Sequence, residues 1–194
     1  KKDEKLEENL EAFDSGPGNC MIDEWVRKNS KNNFDKNGLI AKSGKIDQLI
    51  LNQVIDNFEL SSFDKSLDIK DFDISFARGL SLENGCATIT NFTAYLIAKG
   101  IEHANGNNSD LIKFLVCGGG RKNDFLINSI KNYLSHKKNI SLNSIDDYSL
   151  NGDYIESQAF GYLAIRSFLN LPISYPKTTG CVTPTVGGKL AQSF

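Results

Sequence analysis

Three short segments of this 194-residue chain bring glycine and polar side chains together in ways that could serve chemistry. The first is Val116-Cys117-Gly118-Gly119-Gly120-Arg121-Lys122-Asn123, where an apolar run feeds a triple-glycine turn and then a helical pattern. Glycines let a ligand approach the backbone closely. A helix N-terminus adds free N–H groups and partial positive charge. Such a turn suits a nucleotide. It is not a P-loop, because no Gly-Lys-Ser/Thr follows, and Asn123 stands where the dinucleotide fingerprint needs its third glycine. A strand–helix turn without a ligand accounts for the same residues about equally well. The second segment is Asp14-Ser15-Gly16-Pro17-Gly18-Asn19. A carboxylate beside a stripped backbone loop can hold a metal-bound phosphate or a substrate hydroxyl. Taken alone, a glycine turn whose Asp14 and Asn19 cap nearby backbone groups is the stronger reading. The third is Glu156, the only charged residue between Asp153 and Arg166. A carboxylate there could grip sugar hydroxyls, yet Asp153-Tyr154-Ile155-Glu156 also has capping-box form, which local logic prefers.

Other features read as structural. Asp35-Lys36-Asn37-Gly38 resembles half a calcium loop without the later acidic ligand. Cys117 has no neighbouring histidine in sequence and reads as a buried thiol at a strand end. Cys20, Cys86, Cys117 and Cys181 form no CxxC pair and have no zinc-ligand spacing, so reduced thiols are expected and no metal ligand set is identified. The 22 basic and 24 acidic residues leave a net charge of −2, which argues against a nucleic-acid or anionic-membrane surface. No apolar run approaches the roughly 18–20 residues of a membrane span.

The elements that must position these residues follow from periodicity. Leu10 to Phe13 could form a short strand, and Ser15 to Gly18 a turn. Met21, Ile22, Trp25 and Val26 share one face of a helix over 20–29 that Asn19 can cap. Residues 30–44 are loop-like, and a helix covers 45–58 with a short one near 70–78. The clearest helix runs over 82–99, with Ser81 as N-cap and Gly100 as its end. A strand over 111–117, a helix over 123–135, a strand near 139–142 and a helix over 153–169 follow. Residues 1–11 form a charged lead-in, and residues 170–194 an irregular tail packing on the domain. Helix and strand alternate, so the class is α/β.

Taken together, these segments resemble one family. Phe13-Asp-Ser-Gly-Pro-Gly-Asn19 with Met21-Ile-Asp23-Glu-Trp25 is similar to the D-T/S-G-P-G-N segment of anhydro-N-acetylmuramic acid kinases. The match continues through Phe34-Asp35-x-x-Gly38-x-x-Ala41, Ala87-Thr88-Ile-Thr90, Val116-Cys117-Gly-Gly-Gly120-x-x-Asn123, Glu156-x-x-Ala159-Phe160 and Thr179-Gly180-Cys181. Where the family has a Pro-Lys-Ser-Thr-Gly-Arg-like segment, this chain reads Asp64-Lys65-Ser66-Leu67-Asp68-Ile69.

The resemblance implies a sugar kinase of the actin, hexokinase and heat-shock-protein-70 superfamily, with a ribonuclease H-like fold. Its members use ATP and Mg2+ to open the 1,6-anhydro ring of anhydro-N-acetylmuramic acid with water. They phosphorylate the 6-oxygen, in cytoplasmic recycling of cell-wall amino sugars. Gly118, Gly119, Gly120 and Asn123 fall on the adenosine-binding segment, and Asp14, Gly16, Gly18 and Asn19 on a loop facing the cleft. Glu156 falls on a carboxylate near the sugar. The resemblance places the general base and the phosphate loop in an N-terminal half, so residues 1–194 are expected to be the C-terminal nucleotide-binding domain. That domain would lack its first strands, be inactive without its partner half and be prone to associate through an unpaired sheet edge. It leaves a homodimer open. The alternative is a non-catalytic, actin-like nucleotide- or sugar-binding module.

Overall fold

A computed structural model describes residues 10–58, 63, 66–189 and 191. By its contacts the chain groups into two compact units: Asp14–Asp153, and the described residues of Lys1–Phe13 with Tyr154–Phe194. Each is taken by itself.

The larger unit is organised around one long helix. Its elements are α1 (Cys20–Asn29), α2 (Leu39–Ser43), α3 (Gln48–Asn57), α4 (Leu82–Asn105), β1 (Ile112–Val116), α5 (Asp124–Tyr133) and β2 (Ile140–Ser144). Helix α4 starts where Ser81 accepts the Asn84 N–H at 3.2 Å, the cap expected from sequence. It does not end at Gly100. That glycine is buried inside the helix, Ile101 is buried beyond it, and Gly106 closes the helix at φ 54°. Burial of the extra turn outweighs a glycine penalty of about 1 kcal/mol.

One end of α4 packs with α1 and α3. Met21, Ile22, Trp25, Val26, Leu51, Cys86, Ile89, Phe92 and Leu96 are buried there together. The Trp25 indole lies against Gly85, where any Cβ would strike the ring, and its Nε1–H donates to the Leu82 carbonyl at 2.9 Å. The other end carries Ala94, Ala98 and Ile101 against Leu126, Ile130 and Leu134 of α5 and its C-terminal end. Phe114, Ile140 and Leu142 of the sheet close that second cluster.

The sheet is the parallel pair β1–β2, with Ile112 opposite Ile140 and Val116 opposite Ser144. With α5 it forms a βαβ unit, and the fold class is α/β as expected. The strand expected at Leu10–Phe13 is not one: this segment joins no strand, and Ala12 N–H donates to the Lys177 carbonyl. The stretch read as loop over 30–44 holds the short 3-10 turn Lys36–Gly38 and α2, too brief to leave a period.

The smaller unit contains α6 (Ile155–Phe168), the four-residue α7 (Pro176–Thr179) and a bridge between Ser174 and Thr185. Arg166 ties α6 to the tail, donating to the Pro172 carbonyl at 2.7 Å and to the Tyr175 hydroxyl at 2.7 Å. No described helix is long and apolar enough to cross a membrane.

Candidate functional site

The glycine turn follows the C-terminal end of β1, the side on which open α/β sheets bind ligands. Gly118 sits at φ 75° and ψ −176°, a region open essentially to glycine. Gly119–Lys122 then make a 3-10 turn, and Asn123 caps α5 by accepting the Leu126 N–H at 3.0 Å. The Asn123 side-chain oxygen therefore has a structural task that the sequence did not disclose.

Arg121 fixes this turn. Its Nε donates to Asp146 at 2.6 Å, and its Nη1 to Asp153 at 2.7 Å and to the Gly118 carbonyl at 2.9 Å. Gly118 N–H donates to the Gly152 carbonyl, and Gly152 N–H to Asp146. Lys122 adds a second cation on Asp153 at 2.7 Å. Hydrogen bonds from Arg121 hold the Asp146 carboxyl below its ordinary range, and those from Arg121 and then Lys122 do the same for Asp153. The ion pairs cross between loops, so the turn is held in shape before any ligand arrives.

Opposite the turn stands the start of α1. Asn19 occupies the N-cap position, yet its side chain makes no capping bond, contrary to expectation. The amide lies beside the turn instead, within 3.8–3.9 Å of where side chains would begin on Gly119 and Gly120. Its buried oxygen has no hydrogen-bond partner among the described residues. A cleft of about 380 Å³ opens here, lined by Asn19, Asp23, Phe34, Asp35, Lys36, Asn37, Gly119, Lys122 and Asn123. The volume lies within the roughly 300–1,000 Å³ of small-molecule sites.

Two of the sequence motifs thus meet in one cleft, and a third segment joins them. Asp35, 5% exposed, accepts from Ile40 N–H at 2.8 Å, from Ala41 N–H at 3.0 Å and from the Cys86 thiol at 3.4 Å. It caps α2 and sets Phe34 and Lys36 on the cleft wall. The left-handed backbone of Asn37 and Gly38 is the trace that this turn left in the sequence. Burial, with Asp35 nearby, pushes the Asp23 carboxyl up. Burial also pushes the Cys86 thiol well up, so it stays protonated.

Asp14 is exposed, and its Oδ2 accepts the Leu67 N–H at 3.0 Å. The segment that departs from the family pattern therefore contacts the Asp14 loop directly, although its Asp64 and Lys65 fall outside the described residues. Glu156 stands on the first turn of α6 in the smaller unit, exposed. The capping box expected there is absent: Tyr154 takes the cap position, and Asp153 is held by Arg121 and Lys122. Cys117 is exposed, correcting the buried thiol expected at that strand end, and the four cysteines are free.

The α/β fold and the glycine turn after a strand set a cleft of small-molecule size beside the carboxyl end of a parallel sheet. A family model described as "Anhydro-N-acetylmuramic acid kinase" matches residues 5–192, and the chain belongs to that family. An anhydro-N-acetylmuramic acid kinase of Pelagibacter ubique is 49% identical over 98% of this chain and 51% of its own length. Those of Zymomonas mobilis and Caulobacter vibrioides are each 38% identical, over 95% and 94% of this chain and 49% and 47% of their own. The chain spans about half the length of the curated relatives it matches.

Proposed function

We propose that this chain is the nucleotide-binding part of an ATP-dependent kinase for 1,6-anhydro-N-acetylmuramic acid, with an actin- and hexokinase-like architecture. The observation that carries the reading is the meeting of the Asn19 loop and the Gly118–Gly120 turn in one cleft, in a member of this family. In the reaction, water adds at C1 as the C1–O6 bond breaks. O6 takes the γ-phosphoryl group, and ADP leaves. Phosphoryl transfer asks mainly for positioning and charge neutralisation.

The cleft residues fit those tasks. Phe34 offers an aromatic face to a base, and the stripped turn lets the nucleotide approach the backbone. The unpartnered Asn19 oxygen can accept from a ribose hydroxyl or an amino group. Asp14 keeps Oδ1 open for a sugar hydroxyl, a water or a phosphate-bound cation. Mg2+, when bound, would neutralise phosphate charge, and Asp14 is the carboxylate of this loop able to hold it. Glu156 is assigned to the sugar. The remaining phosphate contacts and the general base are assigned to the half of the family's length that this chain does not span. Since ATP and the recycled sugar are cytoplasmic, so is the proposed site of action.

The test is calorimetric titration of the 194-residue chain with ATP and Mg2+. Binding weakened about tenfold by Gly119→Val, with an unchanged melt, is the expected result. Equal affinity of both proteins, or no binding by a folded chain, would overturn the assignment.

A further inference from the structure

We infer that the outer edge of β2 is a docking site for an extended acidic segment of a partner protein, which adds as a further strand and sets its carboxylates against Lys131, Lys137 and Lys138. Strand β2 pairs with β1 on one side, and no other described strand joins it. Ile112 N–H donates to the Asn139 carbonyl. Backbone groups alternate in direction along a strand, so Ser141 and Asn143 serve β1 and Leu142 turns its N–H and C=O outward. A cavity of about 290 Å³ opens where β2 meets the C-terminal end of α5. Leu134, Ile140 and Leu142 line it with the three lysines and Ser135, and no carboxylate does. A second cavity of about 190 Å³ shares Lys131 and Leu142 with it, so the depression follows the strand toward Ser144.

The charge names the partner. In a chain of net charge −2, Lys131, Lys137 and Lys138 make no side-chain hydrogen bond or ion pair among the described residues. Glu102 on α4 is taken by Lys99 and His136 instead. Lysines on an edge strand commonly serve only to deter pairing. Here the strand itself, Ile-Ser-Leu-Asn-Ser, is uncharged, and the lysines stand beside it around an apolar floor. That arrangement leaves the backbone edge accessible and puts positive charge where the side chains of an added strand would fall. Successive side chains alternate between faces, so the fitting segment carries apolar and acidic residues in turn at every second position. A second copy pairing edge to edge would bring two unneutralised lysine clusters to one seam, which is why an acidic partner is the occupant chosen.

The test titrates the 194-residue chain with a blocked, fluorescently labelled heptapeptide, Val-Thr-Glu-Thr-Val-Thr-Glu, read by anisotropy. It should bind at least tenfold more tightly than the same peptide with lysine in place of glutamate. At saturation it should slow exchange of the Leu142 amide at least tenfold. Lys131→Glu combined with Lys138→Glu should weaken binding at least tenfold with the melting temperature unchanged. A peptide N-methylated at every residue keeps its charges but loses its backbone donors, and it should bind as weakly as the lysine peptide. Equal binding of the acidic and basic peptides, undiminished binding by the variant, or an unchanged Leu142 amide overturns the proposal. So does a folded chain that binds no peptide, whether the variant then self-associates, leaving the lysines as guards of the edge, or the unaltered chain pairs with a second copy through β2. Neither cavity includes a residue of the Asn19 cleft, so this failure and a failure of nucleotide binding are read separately.

Discussion

Gly118 illustrates how a single backbone angle can carry a site. At φ 75° and ψ −176° an alanine meets no neighbour, so its penalty is conformational rather than steric. Gly118→Ala should therefore lose about 1–3 kcal/mol in urea unfolding or distort the turn and weaken nucleotide binding. Retention of both would show that the angle is dispensable. Arg121 sets the pH behaviour of the same turn. It holds Asp146 and Asp153 below their ordinary value of 3.8, so both are depressed in the folded protein. Their contribution is complete above that value and lost as pH falls through the lower folded values. Nucleotide affinity should stay flat from pH 8 to about 5 and fall only in stronger acid, whereas Arg121→Ala should show weak binding throughout. Asp23 has the opposite sign: burial raises it, so its ionised form opposes folding. Asp23→Asn should relieve that opposition and raise the melting temperature slightly at neutral pH, and a destabilised melt would contradict this. Asp14→Asn should leave the melt unchanged and weaken the Mg2+ dependence of ATP binding measured by calorimetry. At this scale the glycine turn after a strand was legible in sequence. From local pattern alone Asn19 read as a cap, and only the family resemblance set it on a cleft-facing loop, because the approach of its amide to Gly119 and Gly120 is a tertiary fact.

At the scale of elements, α4 decides the outcome. It touches α1, α2, α3 and α5, so it sets the distance between the Asn19 loop and the glycine turn. Its start was readable from Ser81. Its end was not, because Gly100 looks like a stop until Ile101 is seen packed in the second cluster. Likewise α2 is only five residues long and is held by Asp35, whose three acceptor contacts leave no periodic signature. The Trp25–Gly85 contact joins α1 to α4 and offers a test. A methyl group there must displace the indole and its bond to Leu82. Gly85→Ala should cost about 1–3 kcal/mol, as overpacking does. It should also weaken the cleft, since α1 carries Asn19. A silent Gly85→Ala would mean that α1 can shift without consequence.

The whole molecule divides its stability unevenly. Among the described residues, both hydrophobic clusters draw only on positions between Met21 and Leu142, and Tyr175 is the one buried apolar side chain beyond them. The sequence suggested one α/β domain, because α6 is as apolar as a core helix and composition cannot say which core it belongs to. The division becomes visible only when burial is known. Regions with few buried apolar contacts open at low free energy. Hydrogen exchange of the 194-residue chain should therefore show α6 amides exchanging well before those of α4, by a factor of at least about a hundred, since an opening gap of some 3 kcal/mol corresponds to that ratio. A chain ending at Asp153 should keep its melting temperature within a few degrees of the full chain. If truncation instead lowered it by more than about 10 °C, a loss of several kcal/mol for a domain of this size, α6 would have to contribute to the folding of Asp14–Asp153.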